Sequence, residues 1–144
     1  MLYGTLLHPE ILSVLASAGH GSRVLIADGN YPFVTGSSPT AKIVYLNLAP
    51  GLLCVTDVLR VLMSAIPVEL ANIMEPDTTS EPPIFREFRE LLPESMPLRS
   101  LDRFAFYESV RSSDTALVIA TGEQRVYANI LLTIGVVAPP QTRP

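Results

Sequence analysis

The sequence predicts a layered α/β domain, because segments with helical apolar spacing alternate with strand-like segments from one end of the chain to the other. Two of the strand-like segments, Val24 to Ala27 and Thr115 to Ala120, are almost continuously apolar, the pattern of strands covered on both faces. Length is the third observation: 144 residues without an internal repeat fit one domain, with core enough to fold without disulfides or metals. Residues 1–138 are expected to form that domain and 139–144 a flexible C-terminal tail.

Pro9 suits the first position of a helix whose Ile11, Leu12, Leu15 and Ala18 form an apolar stripe ending at Gly19; His8 before it reads as a solvated or capping residue. Arg23 to Ala27 is a buried strand delivering Asp28, and Gly29-Asn30-Tyr31-Pro32 is a turn signal leading into a Gly-, Ser- and Pro-rich loop from Phe33 to Thr40. A strand is predicted around Lys42 to Leu46. Pro50-Gly51 breaks the chain before Val55, Val58, Leu59, Leu62 and Ile66 recur at helical spacing, and Pro67 closes that helix. Val68 to Met74 mixes strand and edge character. Glu75 to Pro83 is a loop in which Ser80-Glu81 resembles a helix entry, and Phe85, Phe88, Leu91 and Leu92 line one face of the helix that follows. A short strand at Leu98 to Leu101, a helix at Arg103 to Arg111 and the strand at Thr115 to Ala120 come next. Val126 to Leu132 is predicted as a strand with Tyr127 and Asn129 on one face, where a buried phenol and amide need partners.

Charged residues make up 17% and apolar residues 48% of the chain, with a mean hydropathy of +0.34, so self-association is the simplest outlet for the apolar excess. The formal charge is −4 and the ten Lys and Arg are scattered, which excludes a basic face for nucleic acid. The single Cys54, in the run Leu52-Leu53-Cys54-Val55, reads as a small buried hydrophobe and points to a reducing compartment. No Lys or Arg precedes Arg23, and uncharged runs are broken by Pro and Gly short of a membrane span. A soluble cytoplasmic protein without membrane association is therefore expected.

Gly19-His20-Gly21 precedes its strand and lacks a third glycine, so it is not a dinucleotide fingerprint. There is no phosphate-binding G-x-x-x-x-G-K-[ST] loop and no G-x-S-x-G elbow, and His8, His20 and Cys54 lack zinc-site spacing. Two readings of His20 stand: an imidazole left uncrowded by flanking glycines for acid–base work, or a polar turn residue after a glycine-capped helix. Asp28 lies at the carboxyl end of a strand, where open α/β sheets bind ligands. Asp102, Tyr107 and Glu108 each read singly as surface helix residues, and Glu123 as a loop carboxylate.

Four blocks together resemble the RbsD/FucU family of sugar mutarotases: the opening helix with Gly19-His20-Gly21; the strand ending in Asp28; Arg103-Phe104-Ala105-Phe106-Tyr107-Glu108; and Thr121-Gly122-Glu123 followed by Tyr127-Ala128-Asn129-Ile130-Leu131-Leu132. The resemblance runs from Leu6 to Val137 and is loose between Thr35 and Leu98. It implies a single-domain three-layer α/β/α fold with a central mixed, largely parallel sheet. It also implies interconversion of the anomers of a monosaccharide without cofactor or metal, and a ring-shaped homo-oligomer such as a decamer of two stacked pentamers. Arg103 in its block tips the resemblance toward the L-fucose mutarotase branch and makes L-fucose the expected sugar, whereas Tyr-Ala-Asn is nearer the D-ribose pyranase branch, which stays the alternative. Carried over by position, the resemblance makes His20 the proton donor and has Asp28, Arg103, Tyr127, Asn129 and the backbone of Ala128 hold the sugar. Asp28 is then also a candidate second proton carrier, as is Tyr127 through its phenol. A saccharide-binding ring protein without turnover would use the same residues.

Overall fold

The computed structural model describes residues 1–141; the end of the expected tail, 142–144, lies outside the described residues. The elements are α1 (Pro9–Ser17), β1 (Arg23–Ala27), β2 (Lys42–Tyr45), α2 (Val55–Met63), β3 (Val68–Met74), α3 (Pro83–Leu91), β4 (Leu98–Leu101), α4 (Arg103–Arg111), β5 (Thr115–Ala120) and β6 (Ile130–Ile134). The six strands form one sheet in the order β2-β5-β1-β6-β3-β4. β1 and β2 run parallel to β5, and β3 parallel to β4, while β6 lies antiparallel to both β1 and β3. The sheet is mixed and mostly parallel.

Period-two alternation sorts the strand side chains between two layers. Val24 and Ile26 of β1 face a core with Ile11 of α1, Leu59 and Leu62 of α2 and Phe85 and Phe88 of α3. Leu25 and Ala27 face the opposite side, where Phe106 and Val110 of α4 cover them. Three helices on one face and one on the other make the expected three-layer sandwich, and the near-continuous apolar runs of β1, β5 and β6 follow from burial on both faces.

Several local expectations need correction. The strand predicted from Val126 begins only at Ile130; Val126 and Tyr127 form a turn in which Tyr127 takes φ 59°. By the β1–β6 register an extended backbone would set Asn129 opposite Ala27 and carry Tyr127 past the end of β1, whereas the turn redirects Tyr127 to Asp77. β3 is an interior strand paired on both sides rather than an edge. α3 starts at Pro83 after Pro82, not at Ser80, because proline suits the first helical turn. α2 stops at Met63, short of Pro67. Cys54 is half-buried at the start of α2, where its backbone N–H donates to Asp57 Oδ2 at 2.9 Å. Burial and the nearby Glu123 carboxylate push its thiol up, away from the thiolate form.

An ion cluster built on one buried carboxylate ties the strand ends to the helices. Glu123 is only 3% exposed; its carboxylate accepts Arg125 Nε and Nη2, both at 2.9 Å, and the backbone N–H of Val55, at 3.4 Å, the first residue of α2. Arg125 also pairs with Glu87 of α3. Nearby, a side chain at Gly122 would meet the carbonyl oxygens of Ala49 at 2.3 Å and Leu52 at 2.6 Å, so only glycine lets these two loops touch.

Burial raises the Glu123 pKa, but the Arg125 side-chain and backbone hydrogen bonds outweigh it and leave the carboxyl below the usual glutamate range. A depressed folded-state pKa stabilises the protein above the unfolded value and loses that contribution as pH falls through the folded value. Glu123→Ala, which removes the main partner of the half-exposed Arg125 guanidinium and leaves the Val55 N–H unpaired, is expected to cost about 1–2 kcal/mol in urea unfolding at pH 7. The gap between wild type and Glu123→Gln should narrow once the pH drops below about 4. A gap independent of pH would show that the Glu123 charge does not matter.

Candidate active site

The carboxyl end of β1 is organised by a reciprocal pair. Asn129 Nδ2 donates to Asp28 Oδ2 at 3.0 Å, and the Asp28 backbone N–H donates to Asn129 Oδ1 at 2.8 Å. Asp28 Oδ1 accepts the Asn30 N–H at 3.0 Å, closing a turn. Both residues are buried, and Ala128 between the turn and β6 is fully so, with its backbone N–H directed at the Asp28 carboxylate. Burial is the dominant influence on Asp28 and raises its pKa above the ordinary aspartate value, although the bonds from Asn30, Asn129, Tyr31 and Ala128 pull the other way.

Tyr127 stands over this end. Its ring packs against both cores, and its phenol donates to Asp77 in the loop between β3 and α3. Positive φ at a non-glycine residue costs on the order of 1–3 kcal/mol and persists only where its surroundings hold it. Arg103 opens α4 at the same end, just past Leu101, which pairs with Met74, the last residue of β3. Its guanidinium sits 6.0 Å from the centre of the Tyr107 ring, which stacks on the buried Tyr31 at 5.5 Å. Tyr107 is thus a half-buried part of this end, not the plain surface residue its position suggests. A cavity of about 480 Å³ opens where the chain leaves β1, β2 and β5, lined by Asn30, Asn47, Thr121 and Gln124 among others, but by none of the predicted site residues.

His20 is elsewhere. It precedes β1, in a turn where Gly21 takes φ 84°, and Gly21 donates to the carbonyl of Ile134 at the far end of β6. Gly21 needs glycine; Gly19 does not, because α1 is capped by the extended Ala18. The imidazole is not an idle turn residue: Nε2 lies 3.1 and 3.0 Å from the two carboxylate oxygens of Glu69, near the start of β3. A carboxylate accepts, so Nε2 carries the proton and Nδ1 faces outward. The five residues of β1, at a rise of about 3.3 Å each, hold His20 and Asp28 roughly 16 Å or more apart.

One protomer therefore brings Asp28, Tyr127, Ala128, Asn129 and Arg103 to one end of the sheet and His20 to the other. Sequence reasoning missed Glu69 and Asp77, and undervalued Glu123. No spacing rule links Glu69 or Asp77 to a distant partner, but the Gly122-Glu123 pair beside a strand end was a usable sign of a buried loop carboxylate. His8 does what was expected, accepting the Ile11 N–H at the start of α1.

A mixed-sheet α/β/α domain with hydrogen-bonding groups clustered at strand ends defines a small-molecule-binding α/β protein. The chain belongs to the RbsD / FucU transport protein family, whose model matches residues 1–137. It is 29% identical over 147 residues to a fucose mutarotase of Danio rerio, covering 94% of this chain and 92% of the relative. The FucU structure from Bifidobacterium longum superimposes with a TM-score of 0.78 at 34% identity, covering 91% of this chain and 95% of that one. Bacillus subtilis RbsD complexed with D-ribose gives 0.82 at 27% identity, covering 96% and 100%.

A raised acid pKa means Asp28 favours the folded state below the unfolded value of about 3.9 and loses that contribution as pH rises through its folded value. Carbon-13 carboxyl titration is expected to find Asp28 above the ordinary range and to find it higher still in Asn129→Ala. That variant also leaves the Asp28 N–H unpaired and should lose about 2 kcal/mol of stability. An unmoved Asp28 titration would break the link between the two residues.

Proposed function

We propose that the chain is a sugar mutarotase that interconverts the anomers of a monosaccharide, with L-fucose as its substrate. The observation that carries this reading is the chemistry of the two sheet ends. An exposed imidazole fixed by Glu69 supplies a proton carrier, and a buried carboxylate–amide pair with an arginine nearby supplies a grip for several hydroxyls. The fucose mutarotase relative supports L-fucose, while the relative complexed with D-ribose keeps D-ribose as the second candidate.

Ring opening needs a proton on the ring oxygen as one leaves the anomeric hydroxyl; closure on the other carbonyl face reverses both transfers. In this reading His20 acts as an imidazolium whose Nε2–H is held by Glu69 and whose Nδ1–H delivers the first proton, leaving the neutral ring to take one back on closure; positioned transfer of this kind contributes roughly 10²–10⁴-fold. Asp28, Asn129, Tyr127, the Ala128 backbone and Arg103 hold hydroxyls, and Asp28 receives the second proton. Because β1 keeps His20 from its own Asp28, the complete site takes His20 from a second copy docked end to end. Such a heterologous contact closes into a ring, and a decamer of two stacked pentamers is the assembly we favour. Exposed apolar residues suit that contact: Phe104 and Val126 flank the Asp28 end, and Val136 and Val137 follow β6 at the His20 end. Among the described residues no helix is long and apolar enough to cross a membrane, and a cytoplasmic location completes the reading.

Saturation-transfer NMR of anomeric protons in L-fucose, D-ribose and D-galactose should show faster exchange for L-fucose with catalytic amounts of protein. No acceleration for any sugar would leave a binding protein without turnover. His20→Gln should keep sugar binding within about tenfold while losing most of the exchange. Mixed rings test the shared site: His20→Gln and Asp28→Asn, each inactive alone, should regain about a quarter of wild-type activity when co-assembled at equal amounts. A mixture that stays inactive would refute sharing between copies.

A further inference from the structure

We propose that Asp77 is a positioning residue for the sugar site: it fixes the Tyr127 phenol as a hydrogen-bond acceptor aimed at a substrate hydroxyl. The proposal rests on Tyr127 belonging to the sugar site, as argued above. Tyr127 is the one non-glycine residue at positive φ among the described residues, so its ring direction is imposed by its surroundings rather than by local preference. The base of the ring is set by packing against both cores. The tip is set differently. A cavity of about 350 Å³, lined by Thr78, Ser80, Pro82, Arg125 and Tyr127 among others, lies beside the ring, so close packing does not fix the phenol end.

Asp77 does. The phenol O–H donates to Asp77 Oδ1, and the Asp77 backbone N–H donates back to the phenol oxygen at 3.3 Å. A phenol has one proton and two lone pairs. Asp77 takes the proton and one lone pair, which leaves a single lone pair and no freedom to rotate the O–H. Tyr127 is then an acceptor only. The loop that carries Asp77 is itself anchored: Glu75 donates its N–H to Leu101 at 2.7 Å, and Thr78 Oγ1 donates to the carbonyl of Ser80 at 2.9 Å. Without the carboxylate, the phenol proton turns toward the sugar as readily as away from it, and the hydroxyl that should donate meets a donor.

The test compares Asp77→Ala, Asp77→Asn and both in a Tyr127→Phe background, reading kcat and KM for L-fucose anomer exchange and the carbon-13 shift of the Tyr127 Cζ. Asp77→Ala is expected to raise KM about tenfold with a smaller change in kcat and to move the Cζ resonance. Asp77→Asn, whose amide oxygen accepts the same bond, should restore KM to within about twofold and leave the resonance near its wild-type position. In the Tyr127→Phe background neither substitution should add anything, the signature of two residues acting as one. Wild-type behaviour of Asp77→Ala, equal damage from Asn and Ala, or additive effects would each overturn the proposal. If wild type accelerates no sugar, the mutarotase reading fails by itself. The Cζ shift still decides whether Asp77 sets the phenol: a resonance unmoved in Asp77→Ala overturns it.

Discussion

The length and rigidity of β1 are the constraint from which the site's organisation follows. β1 is buried on both faces and hydrogen-bonded on both sides, to β5 in parallel and to β6 in antiparallel register, so it can neither bend nor shorten. His20 and Asp28, at its two ends, cannot approach one another within a protomer. An antiparallel β6 turns this separation to use. Because β6 begins where β1 ends, the residues just before it, Ala128 and Asn129, arrive at Asp28; a parallel strand in that position would have brought its last residues there instead. At the other end, the same direction reversal places Ile134 beside Gly21 and anchors the turn that presents His20. One strand orientation thus places the Asp28 and Asn129 pair at one end of the sheet and the His20 and Glu69 pair at the other.

Elements governed by local rules were legible in the sequence. Helices with a clear stripe and a proline start, such as α1, and strands buried on both faces, such as β5, announce themselves through spacing and composition. The turn at Tyr127 did not, because Val126-Tyr127-Ala128-Asn129-Ile130 has the alternation of a strand. What bends it is tertiary: the Asn129 pairing with Asp28 and the Asp77 contact, neither visible in a neighbouring residue. The site was legible in part for the same reason. His20, Asp28, Arg103, Tyr127 and Asn129 stood in recognisable blocks, whereas Glu69 and Asp77 matter only through partners 49 and 50 residues away.

Four carboxylates show how one functional group is put to different uses by its surroundings. Glu123, buried against a guanidinium, stays charged and serves the fold. Asp28, buried among hydrogen-bond donors without a cation bonded to it, is raised toward protonation and is the one whose charge state is open to change near a ligand. Glu69, half-exposed, directs an imidazole. Asp77, exposed, directs a phenol.

The segment from Glu123 to Asn129 joins these uses. Its start is clamped by the Glu123 and Arg125 pairing and by the Gly29 N–H donated to the Glu123 carbonyl at 2.8 Å, and its end by Asn129 on Asp28. Between two fixed ends, the backbone has few conformations left, and the left-handed one at Tyr127 is the solution that closes the span. Its cost, of order 1–3 kcal/mol, falls within what the reciprocal bonds at either end supply. Loss of either clamp would therefore act on the Tyr127 turn before it acts on the core, because the first conformation to relax is the left-handed one that brings the phenol to Asp77.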